Sequence, residues 1–238
     1  MMNNILLQIN VAADTTSAVV QEAVSEEKTL SIWELVSSGG IGGAIIMITL
    51  LILSILAVYI IIERYLAIKN ASKEDANFMN QIKDFIHEGK MDAAKTLCKS
   101  NASPIAKMIE KGISRIGKPL SDIGTAVENT GKLELNKLEK NLSTLATISG
   151  AAPMIGFLGT VIGMILVFHE MAKGGGGVDL NTLSEGIFTA MTTTVAGLIV
   201  GIVAYIGYNT LVAKVEKIVF IMEARTTEFL DILHEPAN

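Results

Sequence analysis

At 238 residues, half of them hydrophobic, the chain has the length of one or two soluble domains. Its charge pattern excludes that reading, because Ile41–Ile62, Asn141–Phe168 and Gly186–Ala213 contain no Asp, Glu, Lys, Arg or His, and too little polar chain remains to wrap three such helices. Cys98 is the sole cysteine, which excludes a disulfide framework and C-x-x-C redox or metal spacing, and a net charge of −5 is uninformative when it averages over two sides of a membrane.

Residues 1–28 are small, polar and acidic at Glu22, Glu26 and Glu27. The opening "MMNNILLQINVAAD" lacks a basic n-region, and Gln8 and Asn10 interrupt its apolar run, so it is expected to stay on the protein. In "TLSIWELVSSGG", Leu30, Trp33 and Val36 are spaced for one helical face, and Trp33 suits a membrane–water boundary. Residues 1–40 thus read as a segment with an interfacial helix that turns at Gly39-Gly40 into span one, 41–62.

A helix needs roughly 20 apolar residues to cross a ~30 Å hydrocarbon core. The charge-free stretches of 22, 28 and 28 residues all suffice. The expected class is an all-α integral membrane protein with three transmembrane helices, two of them extended into a helical domain.

The segment 63–140 between spans one and two reads as helical. Phe78, Ile82 and Ile86 recur at four-residue steps, and Ile105, Met108, Ile109, Gly112, Ile113 and Ile116 form a second apolar face. "SNASP" and "GKP" break the pattern. Leu135, Leu138, Leu142 and Leu145 then alternate steps of three and four, a coiled-coil-like seam with no Gly or Pro before Gly150. That predicts one helix running into span two, 141–168. After a 169–185 loop, span three (186–213) is expected to continue as a helix through 214–238. The Gly174–Gly177 run lacks the strand and Lys-Ser/Thr of a phosphate loop and reads as a connector.

Basic residues set the orientation. The 63–140 segment holds 14 Lys and Arg and Lys214, Lys217 and Arg225 follow span three, so 17 of 19 lie on one side, which is cytoplasmic by the positive-inside rule. The N-terminus and the 169–185 loop are then outside and the C-terminus inside.

Within the membrane the chemistry is sparse. Gly159 and Gly163 form a G-x-x-x-G pair with Gly156 nearby, and Gly197 and Gly201 repeat the spacing. Small residues let backbones approach in lipid, where apolar burial cannot drive association, so spans two and three are expected to pack closely. Pro153 removes a backbone donor and is expected to bend span two. Thr189, Thr192, Thr193 and Thr194 crowd four hydroxyls into six positions. A lone Thr in such a helix bonds its own preceding turn. As a group they read differently: Thr160 and Thr194 each lie nine residues from an outer edge, or about 13 Å deep, and Thr189 and Thr193 share a face. A polar stripe at that depth faces a bundle interior or a water path. Hydroxyls cannot titrate there, and no span carries an acid or base; Glu185 stands only at the rim. If protons move, the acid comes from another chain.

"APMIGFLGTVIGM" and "TTTVAGLIVGIVAYIGYN", with Glu63-Arg64 after span one and the helical segment between, resemble the MotA/TolQ/ExbB proton-channel family in its three-span ExbB/TolQ branch. MotA-type stators, with four spans, fit less well. The resemblance implies a bacterial inner-membrane protein. It further implies a homo-oligomer, a pentamer, around a dimer of an ExbD- or TolR-like single-span partner with a protonatable Asp. Such a motor is driven by the proton-motive force and passes energy to a TonB- or TolA-like protein. By the same resemblance Thr160 and Thr194 face the lumen. Thr189 stands where the family often has a glutamate, which Glu185 one turn away replaces or which is dispensable.

The remaining features carry less. His169 and Glu170 read as an exposed interfacial pair, and Met47, Met154, Met164 and Met171 as apolar packing rather than copper ligands. No enzyme chemistry, cofactor, metal or nucleic acid is expected; lipids and protein partners are. The ExbB-like reading, powering TonB-dependent outer-membrane transport, competes with a TolQ-like role in envelope constriction or in another trans-envelope machine. A non-conducting scaffold built on the long helices is a third reading. A secondary transporter fits poorly, since inverted repeats and broken midplane helices are not evident.

Overall fold

The computed structural model describes residues 40–72, 77–173 and 180–234, excepting the side chains of Ile41, Leu180, Asn181, Thr182 and Glu185. The expected surface helix around Trp33 and the Gly174–Gly177 connector lie outside the described residues. The described chain is helical throughout: α1 (Gly40–Ala71), α2 (Phe78–His87), α3 (Met91–Ser100), α4 (Pro104–Ile113), α5 (Leu120–Leu138), α6 (Leu142–Lys173) and α7 (Leu180–His234). Three of the helical stretches are long and apolar enough to cross a membrane, in line with the all-α membrane class read from the charge-free runs.

On α1, Ile46, Leu50, Ala57, Ile60 and Ile68 are buried against the other spans, while Ile45, Ile48, Leu51, Ile52, Ile55 and Tyr59 face outward. Large apolar side chains on that outer face are what a lipid-facing helix requires. Gly207 of α7 admits α1 closely, since a methyl group there would lie 2.5 Å from Ile61 Cδ1.

The helical domain forms where the amphipathic faces predict. Phe78 and Ile82 are buried, as are Ile105, Met108, Ile109, Gly112 and Ile113. At "SNASP", Ser103 caps α4, its hydroxyl accepting from Ala106 N–H at 3.2 Å, with Pro104 in the first turn. At "GKP", Gly117 takes φ +96°, a left-handed conformation that favours glycine. α5 runs antiparallel to α7: Gly124 lies beside Leu230, and Gly131 beside Met222.

One local expectation changes. The seam does not continue unbroken from α5 into α6, because the chain turns at 139–141 with Asn141 at φ +64°. Asn tolerates the left-handed region better than most residues, so a break forms without Gly or Pro. Arg64 pins it. This guanidinium is 7% exposed, pairs with the neighbouring Glu63, and donates from Nη1 to the carbonyl of Lys137 at 2.9 Å. Lys137 lies in the last turn of α5, where unpaired carbonyls favour a cation. Pro153 sits within α6, which remains one helix through it.

Candidate functional site

Spans two and three meet as an antiparallel ladder of small residues. A methyl group on Gly163 would lie 2.8 Å from Ala190 Cβ, one on Gly159 2.4 Å from Thr193 Oγ1, and one on Gly156 2.7 Å from Thr193 O. From the other side, a methyl on Gly197 would lie 2.6 Å from Ala152 O, and one on Gly201 2.5 Å from Pro153 Cγ. The atoms met at Gly156 and Gly197 are backbone, so no rotamer change relieves the clash. The G-x-x-x-G spacing read from the sequence thus coincides with a helix contact too close for any side chain. Pro153 belongs to the same contact, its ring filling the notch that Gly201 leaves.

This approach assembles the hydroxyls. Thr160 and Thr194, on α6 and α7, stand 2.6 Å apart, Oγ1 to Oγ1. Thr160 is also 2.8 Å from its own helix's Phe157 carbonyl, and Thr194 donates across to the Gly156 carbonyl at 3.1 Å. Thr193 reaches the same Gly156 carbonyl at 3.2 Å and the Ala190 carbonyl at 2.7 Å. Each hydroxyl has one proton and more than one acceptor, so it can turn to donate or accept without a change of charge. Thr192 bonds only its own preceding turn, at Phe188 O, 2.9 Å. That is the behaviour of a lone membrane Thr.

Burial separates these residues further. Thr193 is 2% exposed and takes part in helix packing, while Thr160 and Thr194 are half-buried and open to one side of the helix pair. Thr189 is buried, and its Oγ1 has no hydrogen-bond partner among the described residues. An unpaired buried hydroxyl costs free energy and draws a partner when one is available. The side chain of Glu185 lies outside the described residues. At the rim, His169 is exposed, and the exposed Glu170 pairs with Lys173 at 3.5 Å. Among the described residues no group of three or more His, Cys, Asp or Glu is placed to hold a metal ion.

Outside the spans, three titratable groups depart from their usual range: the hydrogen bond and charge of Lys132 hold the exposed Glu128 carboxyl below its ordinary value, and Glu134 and Cys98 are shifted as well. Burial alone would raise the Glu134 carboxyl, but hydrogen bonds from Lys107 at 2.8 Å and from Lys137 more than offset it and hold it below the ordinary value. Burial, aided by the charge of Glu110, pushes the Cys98 thiol up to about 12, so it stays protonated. Sequence reading missed the Arg64–Lys137 link. The signal was the Glu63-Arg64 pair closing 22 charge-free residues; its partner carbonyl is a backbone group that no residue pattern marks.

The chain resembles known proteins along much of its length. It is 42% identical over 77 residues to the biopolymer transport protein ExbB of Helicobacter pylori, covering 32% of this chain and 52% of that protein. It is 31% identical over 114 residues to a putative biopolymer transport protein ExbB homolog of Methanothermobacter thermautotrophicus, covering 48% of this chain and 40% of that one. The chain thus spans about half the length of these curated relatives. The Tol-Pal system protein TolQ of Pseudomonas aeruginosa is 27% identical over 224 residues, 87% of this chain and 94% of TolQ. Residues 100–224, more than half of the chain and all of the hydroxyl ladder, match the family model, and the chain belongs to the MotA/TolQ/ExbB proton channel family.

Proposed function

We propose that this chain is the channel subunit of an ExbB-like motor driven by the proton-motive force in a bacterial inner membrane. In this reading five copies surround a dimer of an ExbD- or TolR-like single-span protein. That partner supplies a protonatable Asp, and the motor energises TonB-dependent transport at the outer membrane. The N-terminus and the 169–185 loop face the periplasm; residues 63–140 and the C-terminal helix face the cytoplasm. Thr160 and Thr194 line the lumen, with Thr189, Thr193 and Glu185 along the same path.

The observation that carries the reading is the 2.6 Å contact between Thr160 and Thr194, on helices whose charge-free stretches contain no acid or base. An ionised Asp from a partner accepts a hydrogen bond from either hydroxyl, and once protonated it donates to the same oxygens. The neutral pair therefore supports both states of the carrier without trapping it as a fixed charge would. Thr160→Val and Thr194→Val keep the shape and remove the hydroxyl. With assembly intact, each is expected to abolish most proton-dependent uptake while leaving membrane insertion unchanged. Full energised uptake in both variants would remove the pair from the path, and rapid proton leak through purified copies lacking any second polypeptide would contradict the borrowed acid.

A TolQ-like role has its own support in the match to TolQ over 94% of that protein. Co-purification decides: a TonB-like companion supports the first role, a TolA-like one the second.

A further inference from the structure

Phe220 lies outside the spans and outside the site. It is 72% exposed and follows Lys214 and Lys217 on α7, about 10 Å along the helix past the charge-free stretch. Next to it, a groove of about 470 Å³ runs between α5 and α7. Gly131, Leu135, Val219, Met222 and Leu230 line it, and Glu128 and Lys132, paired with each other at 2.8 Å, stand at its rim. The groove is mostly apolar, has room for an aromatic ring, and is filled by nothing among the described residues.

Knob and groove sit at one height. Gly131 is beside Met222 on the antiparallel helix, so Phe220 is level with the Gly131–Leu135 stretch of α5. At 3.6 residues per turn, the α7 wall of the groove centres on Glu223, Thr226 and Leu230, about a quarter turn from Phe220, and Thr227 at its edge shares the direction of Phe220. The exposed Phe220 is not seated in the groove of its own chain. Copies of one sequence in one membrane share depth and direction, so the Phe220 of a neighbour arrives level with the groove.

We propose that Phe220 of each copy seats in the α5–α7 groove of the next, joining the helical domains head to tail. This rests on the ring of copies proposed above and names the contact that closes it outside the membrane. Two different patches in a shared membrane plane make a heterologous contact about an axis normal to the bilayer, which closes into a ring rather than a two-fold pair.

The test keeps the knob and marks its surroundings. Glu128→Cys at the groove rim and Ala224→Cys, one turn beyond Phe220, are combined in the full chain in membranes and treated with a short bismaleimide. Cys98 is buried and contributes little background. The expected result is a ladder of cross-linked multimers, reduced by about tenfold or more when Phe220→Ala is added, with helix content by circular dichroism unchanged. A ladder that survives Phe220→Ala overturns the proposal. So does strong self-linking of Ala224→Cys alone, which marks a two-fold contact. Loss of helix content in Phe220→Ala overturns it as well, because the ring then supports its own chain. If native mass shows an oligomer but no ladder forms, the knob fails while the ring reading stands; if only monomer is found, both fail.

Discussion

One stripe of α7 runs through two environments. In the span it buries Ala190, Thr193, Gly197, Gly201 and Ala204. Beyond the span the same stripe, stepping by three, four or seven, buries Val215, Ile218, Met222, Phe229 and Ile232. Small residues give way to large ones where lipid gives way to water. In lipid, a leucine gains nothing by leaving the tails for another helix, so contact depends on how near two backbones come. In water, each large apolar side chain removed from solvent contributes about 1.5–3 kcal/mol. Hydroxyls can therefore meet across the α6–α7 contact, where nothing bulky separates the helices, and no counterpart exists among the described residues of the helical domain.

The sharpest way to break this comparison is to truncate its watery half. Phe229 is fully buried against Gly112 and Val127. Phe229→Ala is expected to destabilise the helical domain by about 3–5 kcal/mol, read as a lowered denaturant midpoint of that domain, while protection of the spans persists. An equal loss in the spans would mean the halves unfold as one.

The lipid half is broken by addition. Gly197→Ala places a methyl against the Ala152 carbonyl and is expected to cost about 1–3 kcal/mol and to part the Thr160–Thr194 contact. Reduced cross-linking between α6 and α7 checks it. A glycine tolerant of alanine would show that backbone approach is not what holds the spans.

Acid sharpens the contrast between a charged and an uncharged polar contact. Glu134 is ionised and its carboxyl is held below the usual range. A depressed folded value means its stabilisation is present above the unfolded value, roughly 4.3, and is lost as pH falls through the lower folded one. Glu134→Gln is expected to cost about 1–2 kcal/mol at neutral pH, since both lysines are largely exposed, and to flatten the loss of stability in acid. Unfolding curves from neutrality into that range measure both.

The smallest effect is at Thr193. Its bond to Gly156 O crosses the helices, yet such membrane bonds average only about 0.6 kcal/mol. Thr193→Val is expected to change stability by less than about 1 kcal/mol, a small shift in unfolding midpoint. A larger shift would assign span packing to polar bonds rather than to the glycines.

By itself the sequence determined the three spans, the helical character of the domain and the glycine spacing. Long charge-free runs, apolar periodicity and small-residue repeats are local properties, set by hydration and by the pitch of a helix. Thr160 and Thr194 could be placed at similar depth by counting residues. Only the tertiary structure decided that their oxygens lie 2.6 Å apart, that Thr193 turns into the packing while Thr194 remains half-open, that Pro153 fills the notch of Gly201, and that Arg64 holds the turn at Asn141. Those outcomes depend on which faces of two helices meet and on backbone carbonyls as partners. Backbone groups are the same at every position, so a residue pattern cannot say which of them a side chain will find.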